Sequence, residues 1–182
     1  MINLLQTEKS LILPHIVKGG TAVDFTMGNG HDTLWLSRQV GDDGHVFAFD
    51  IQRKAIDSTA ALLNENGRTN CTLILDSHSN VKKYVDGPIC AGLFNLGYLP
   101  GGDKSITTMR ETSIAAIEAG IDILGDGGGI LIAVYPGHAE GTAEGELIYD
   151  TLQKYSRYKV CCSMLKIINS PTSPFFYLVE KK

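Results

Sequence analysis

The chain reads as an α/β protein built on a mostly parallel sheet with helices on both faces, and three observations predict it. Short apolar runs rich in β-branched and aromatic residues alternate with stretches of helical periodicity, the pattern of strands joined by crossover helices. Most of these runs carry a polar residue at or near the C-terminal end, namely Asp24, Asp50, Asp76 and Asn95, where ligands of open α/β sheets bind. The tail breaks the alternation: Tyr158–Ile168 and Phe175–Glu180 are β-rich and joined by too few residues for a crossover helix, so they pair antiparallel.

The elements follow in order. Leu4–Val17 carries apolar residues at helical spacing around Pro14, which kinks or ends the helix, and this segment packs on the sheet. Thr21–Phe25, His45–Asp50, Thr72–Asp76, Ile89–Asn95 and Ile130–Tyr135 are short apolar runs, as strands buried on both faces are. Between them Asp32–Val40, Arg53–Asn66 and Thr107–Leu124 read as helices closed by Gly41, Gly67 and Gly125, with glycine in the left-handed position past the last turn. Glu144–Tyr155 makes a further helix. The whole is a seven-stranded sheet ending in an antiparallel hairpin. No repeat or linker interrupts residues 1–182, so one domain is expected, and acceptor recognition falls to its own loops or to a second subunit in a homodimer.

Composition excludes several classes. A chain of 182 residues with 43% hydrophobic and 20% charged residues has the profile of a globular protein. Its apolar runs are too short to span a bilayer, and Met1–Ser10 lacks the layout of a signal peptide, which points to a cytoplasmic protein with no membrane partner. Cys71, Cys90, Cys161 and Cys162 form no C-x-x-C pair, so they read as small buried hydrophobes and no metal is expected. A net charge of −4 argues against sequence-blind attraction to nucleic acid, though a local basic patch stays open.

The chemistry concentrates after the first strand. Asp24-Phe25-Thr26-Met27-Gly28-Asn29-Gly30 runs into His31-Asp32-Thr33, which opens a helix; such a glycine turn brings bare backbone close to a ligand. Asp50, at the end of the second strand, is suited to accept hydrogen bonds from both hydroxyls of a ribose. The bland alternative is that Gly28 and Gly30 only permit a tight turn and Asp32 caps the helix, which leaves Asp24 and Asp50 unexplained. A dinucleotide reading wants a last glycine where Thr33 stands, and Asp24 would repel a pyrophosphate. A cationic sulfonium and an ammonium would welcome that carboxylate.

These residues resemble the class I S-adenosylmethionine-dependent methyltransferases, a Rossmann-like fold whose sheet ends in an antiparallel hairpin, with Thr26 replacing the first glycine of the usual loop. Gly28–Thr33, the segment NLGYLPGGDK from Asn95 to Lys104, and Tyr135-Pro136-Gly137-His138 are similar to one family within that class. It is the small rRNA methylase family, also called YtqB-like, associated with tRNA wobble-uridine modification as MnmM-type methyltransferases. Ser173-Pro174 stands where a Pro-Pro pair is expected.

The resemblance implies a role for each position. Asp24, Asn29, His31, Asp32 and Thr33 line the methionine end of S-adenosylmethionine, Thr26, Gly28, Gly30 and Asn95 also bind the cofactor, Asp50 and Gln52 take the ribose and adenine, and Asp76, Ser77 and His78 border the adenine ring. For His78 a local cap of the next helix competes. Asn95 and Tyr98 resemble the amide and aromatic of amino-directed methyltransferases and are the catalytic candidates: Asn95 accepting from an attacking amine, Tyr98 stacking on a base. A strand end with a packed aromatic is the alternative. Tyr98, Lys104, Tyr135 and His138 are the acceptor-binding candidates, Lys104 and Arg110 as phosphate contacts, with a cap or surface role competing for His138. The implied activity is methylation of the aminomethyl nitrogen of a modified wobble uridine in tRNA. An rRNA base, a small molecule, or a cofactor-holding module without turnover are the competing readings.

Overall fold

The computed structural model describes residues 3–97, 108–136 and 139–182. Helix α1 (Leu4–Ile12) opens on Asn3, whose side chain accepts from the Gln6 N–H, and gives way to a 3-10 turn, Leu13–His15, that contains Pro14. Helices α2 (His31–Val40), α3 (Arg53–Glu65), α4 (Arg110–Ile123) and α5 (Ala139–Leu152) alternate with strands β1 (Thr21–Asp24), β2 (His45–Asp50), β3 (Cys71–Leu75), β4 (Ile89–Leu96) and β5 (Leu124–Val134). Strands β6 (Val160–Leu165) and β7 (Phe175–Lys181) complete the sheet.

The seven strands run in the order β3-β2-β1-β4-β5-β7-β6, and β7 lies antiparallel to both its neighbours while β1 to β5 are parallel. This is the class I methyltransferase fold expected from the sequence. From β1 the chain steps outward to β2 and β3, then returns to lay β4 on the other side of β1. The crevice above the carboxyl ends of β1 and β4 is thus the topological switch point.

Period-two alternation divides the core between the faces. Ile130, Ile132 and Val134 of β5 join Phe25, Phe94, Ile117, Ile121, Ile148 and Phe175 on the face covered by α4 and α5. Leu131 and Ala133 join Ile12, Leu36, Val40 and Phe176 on the opposite face, under α1 and α2. Phe25 stacks on Phe94 with ring centroids 4.0 Å apart, and each such fully buried side chain contributes about 1.5–3 kcal/mol. The ring sits under the switch point, so the core supports the loop above it.

Several element boundaries differ from expectation. Strand β5 begins at Leu124 rather than Ile130, because the glycine stretch after α4 already pairs with β4, Leu124 opposite Ile89, before a bulge. Gly125 is therefore a strand residue, and the left-handed glycine is Gly127 at φ 75°. Helix α5 starts at Ala139, ahead of the expected Glu144, and within it a Cβ on Gly145 would lie 2.9 Å from the Phe175 ring, so packing selects the glycine. The helix expected next to His78 is a 3-10 helix, His78–Lys83. The cysteines are half-buried rather than buried. Among the described residues no helix is long and apolar enough to cross a membrane.

Candidate active site

The glycine loop is held by its own carboxylates. Asp24, at the end of β1, has no exposed surface; one oxygen accepts from the Thr26 N–H at 3.2 Å and the other from the Thr33 hydroxyl at 2.6 Å. It thereby joins the start of the loop to the first turn of α2. Burial, and then the charge of Asp32, push its carboxyl up to about 7. Gly28 and Gly30 take φ values of 53° and 82°, the left-handed region that glycine enters without strain. Gly30 is the residue from which α2 departs, so Asp32 lies in the first turn and is not the cap. Thr59 of α3 closes the loop from below, donating to the Gly28 carbonyl at 3.2 Å.

Asp50 ties this loop to β2. Its two oxygens accept from the N–H groups of Gly28 at 3.1 Å and Gln52 at 2.9 Å. The Ile51 N–H is a further donor to it, so of the carboxylate's about four acceptor positions one is left for a group such as a ribose hydroxyl. Burial raises its pKa. Beside it Ile51 is 61% exposed, an apolar side chain at the rim of the crevice that the sequence reading passed over.

His78 is buried under the loop, with Nδ1 3.1 Å from the Phe25 carbonyl. A carbonyl only accepts, so Nδ1 carries the proton and Nε2 is the free acceptor. Burial lowers its pKa. The expected local cap is supplied by Ser77 instead, which accepts from the Ser79 N–H. Asp76 accepts from the Ser77 N–H, the Asn80 amide and the Tyr84 hydroxyl, and those donors, Asn80 first, lower its pKa. Its first task is to fix this turn.

At the end of β4 the Asn95 N–H donates to Thr26 Oγ1 at 2.6 Å. The Asn95 side chain gathers a second cluster. Its amide donates to Asp32 at 2.9 Å and faces Glu8 of α1 at 3.5 Å, while its oxygen accepts from the Tyr135 hydroxyl at 3.2 Å. Lys9 lies 3.4 Å from Asp32 and over the Trp35 ring. Glu8 is 2% exposed, and burial, followed by the charge of Asp32, raises its carboxyl to about 7. Burial pushes the Tyr135 phenol up to about 12. Glu8 was missed although the sequence holds a signal: it stands four residues from both Leu4 and Ile12, inside the apolar stripe of its helix.

The structure thus brings Asp24, Thr26, Gly28, Asp32, Thr33, Asn95 and Tyr135 together at the switch point, with Asp50, Gln52 and His78 on the β2 side. Asn29 belongs to the same loop, and His31 stands exposed at the first position of α2. Tyr98, Lys104 and His138 lie outside the described residues. Arg110, considered for phosphates, donates to Glu140 at 2.9 Å. Buried Glu144 accepts from Ser113 and Thr108, joining α5 to α4 where the chain re-enters the described region. Among the described residues no group of His, Cys, Asp or Glu side chains is placed to hold a metal ion.

Comparison with known proteins agrees with this geometry. The family described as "Putative rRNA methylase" matches residues 46–181. The chain is similar to a tRNA (mnm5s2U34)-methyltransferase, chloroplastic, of Arabidopsis thaliana, with 34% identity over 98% of this chain and 72% of that protein. Among solved structures it is similar to a protein of Clostridium thermocellum described as "putative rRNA-methylase", with 38% identity, a TM-score of 0.95 and full coverage of both chains. It is likewise similar to a protein of Streptococcus mutans described as "a putative methyltransferase", solved in complex with S-adenosylhomocysteine, with 31% identity, a TM-score of 0.91 and coverage of 100% and 99%. The chain therefore belongs to the rRNA methylase family and is a class I methyltransferase whose cofactor is S-adenosylmethionine.

Proposed function

We propose that the protein methylates the aminomethyl nitrogen of a modified wobble uridine, of the 5-aminomethyl-2-thiouridine type, in tRNA. The observation that carries this reading is the cluster of Glu8, Asp32, Asn95 and Tyr135 at the end of β4, beside the glycine loop. Two carboxylates gathered by one amide suit an acceptor that arrives as an amine. The Arabidopsis relative's name, which specifies tRNA and U34, supports the same class of acceptor. One domain would hold both sites.

In this reading Asp50 takes the ribose hydroxyls, Gln52 and His78 Nε2 meet the adenine edge, and Ile51 is covered by its face. The Thr26–Gly30 backbone and α2 surround the methionine end. Bound S-adenosylmethionine supplies an electrophilic methyl on its sulfonium. The protein contributes position: an in-line approach of a neutral amine lone pair is worth several kcal/mol of barrier, about 7–11 in well-oriented systems. Recognition by a homodimer in the cytoplasm goes with this reading, and sedimentation with and without tRNA tests the dimer. Nucleoside mass analysis of tRNA from a deletion strain tests the acceptor. Loss of the methylated wobble uridine with accumulation of its aminomethyl precursor is expected; an unchanged tRNA profile with a methyl missing from rRNA contradicts it.

A further inference from the structure

Glu144 of α5 is a carboxylate with 1% of its surface exposed, on a helix that shares the core around Ile117 and Ile148 with α4. Two helices packed in this way do not need a buried charge to stay together. An apolar side chain of similar size in such a place is often as stabilising or more so. What a buried carboxylate adds is direction, because its oxygens must meet hydrogen-bond donors. The donors here are two hydroxyls. Ser113 Oγ, fully buried within α4, donates to one oxygen, and Thr108 Oγ1 donates to the other at 3.0 Å.

The second of these donors is not part of the helix. Thr108 precedes Met109, the residue from which α4 departs, and its N–H donates to the Gly97 carbonyl at 3.0 Å. Gly97 stands two residues beyond Asn95, past the end of β4. A chain of hydrogen bonds therefore runs from Glu144 through Thr108 to the end of β4. The same helix holds the neighbouring strand end: Thr142 Oγ1 donates to the carbonyl of Pro136, the residue after Tyr135, at 3.1 Å. Asn95 and Tyr135, whose side chains meet at 3.2 Å, are thus each followed, within two residues, by a carbonyl tied to the N-terminal half of α5. A bond between the helices alone would be complete with Ser113.

We propose that Glu144 is a positioning residue for methyl transfer: through Thr108 and Gly97 it fixes the end of β4, and so the place from which Asn95 meets the acceptor. The inference rests on the reading of the Asn95 end as the acceptor side, and adds to it a residue outside that cluster. Glu144 is enclosed by α4 and α5, so it acts through Thr108 and touches neither cofactor nor acceptor. In-line transfer tolerates little error, since a displacement of about 1 Å produced far from the chemistry can cost about 100-fold in rate.

The test compares Thr108→Val with Ser113→Ala in the full-length protein. Each removes one hydroxyl from Glu144, but only Thr108→Val releases the end of β4. Thermal melting establishes that the variants fold, calorimetry measures S-adenosylhomocysteine affinity, and kcat and KM are measured on tRNA bearing an aminomethyl wobble uridine. Thr108→Val is expected to lower kcat about 10- to 100-fold, a larger factor than its loss of cofactor affinity, whereas Ser113→Ala keeps the wild-type kcat even where it melts lower. Glu144→Leu, which fills the space without an acceptor, is expected to lower kcat similarly and to add little to Thr108→Val in the double variant. A kcat that follows melting temperature alike in Thr108→Val and Ser113→Ala, that changes in neither, or whose losses add in the double variant overturns the proposal. A wild-type protein inactive on this tRNA sinks the acceptor reading alone. Magnetic resonance of the Asn95 side-chain amide in nitrogen-labelled protein then decides: Thr108→Val is expected to shift it and Ser113→Ala to leave it in place, and equal spectra of the two variants contradict the proposal.

Discussion

At the scale of single residues, the carboxylates around the crevice differ in task because they differ in surroundings. Asp50 is half-buried and keeps acceptor capacity toward the open side, so Asp50→Ala is expected to weaken S-adenosylhomocysteine binding about 10- to 100-fold, read by calorimetry, for loss of charge-assisted hydrogen bonds. Asp24 and Glu8 instead carry carboxyls raised to about 7 in the folded protein, against about 4 in an unfolded chain. Across that interval the folded state binds more protons, so their stabilising contribution is complete below the unfolded value and is lost as pH rises through about 7. The cofactor-free protein is therefore expected to melt at a lower temperature at pH 8 than at pH 6, and Asp24→Asn should flatten that slope. An unchanged slope in Asp24→Asn would show that Asp24 stays ionised in its buried site. Asp24 and Asp50 were legible in the sequence because each ends a strand; Glu8 was not, because its importance comes from α1 folding back over β4, a contact across some 87 positions of chain.

At the scale of elements, the glycine loop and α2 form one unit supported by α3. A Cβ on Gly30 would lie 2.6 Å from the Thr59 hydroxyl, at a φ of 82°. Gly30→Ala is thus expected to destabilise the protein by about 1–3 kcal/mol through backbone strain and collision, and to weaken cofactor binding because the loop shifts; Gly41→Ala, also left-handed but with open space around its Cβ, should cost stability without that loss of binding. Denaturant melts and calorimetry on both variants make the comparison. Gly41 and Gly67 were readable as helix terminators since their φ values alone decide them. Gly125 was misread because what decides it is tertiary, the pairing of β5 with β4.

At the scale of the whole molecule, the order of strands places every loop that carries a polar strand end on one rim, and the hairpin of β6 and β7 closes the far side of the sheet. The alternation of runs and the short tail loop were enough to read this architecture, whereas the way α1 brings Glu8 against Asn95 at the end of β4 required the fold itself. Since the crevice proposed for the cofactor is built from β1, β2, β4, α1 and α2 together, its occupation should stabilise the whole protein. Saturation with S-adenosylhomocysteine at about 100 times its Kd is expected to contribute about 2.7 kcal/mol and to raise Tm by about 5–10 °C, and Asp50→Ala should lose most of that rise. NAD at the same concentration should leave Tm unchanged.

The most direct measurement is transfer of labelled methyl from S-adenosylmethionine to tRNA whose wobble uridine carries a free aminomethyl group, alongside the same tRNA with that amine acylated and an rRNA control. The account predicts label in the free-amine tRNA, recovered on digestion as the methylaminomethyl nucleoside, and none in the acylated tRNA or the rRNA. Label in rRNA, or equal label in the acylated tRNA, would contradict it.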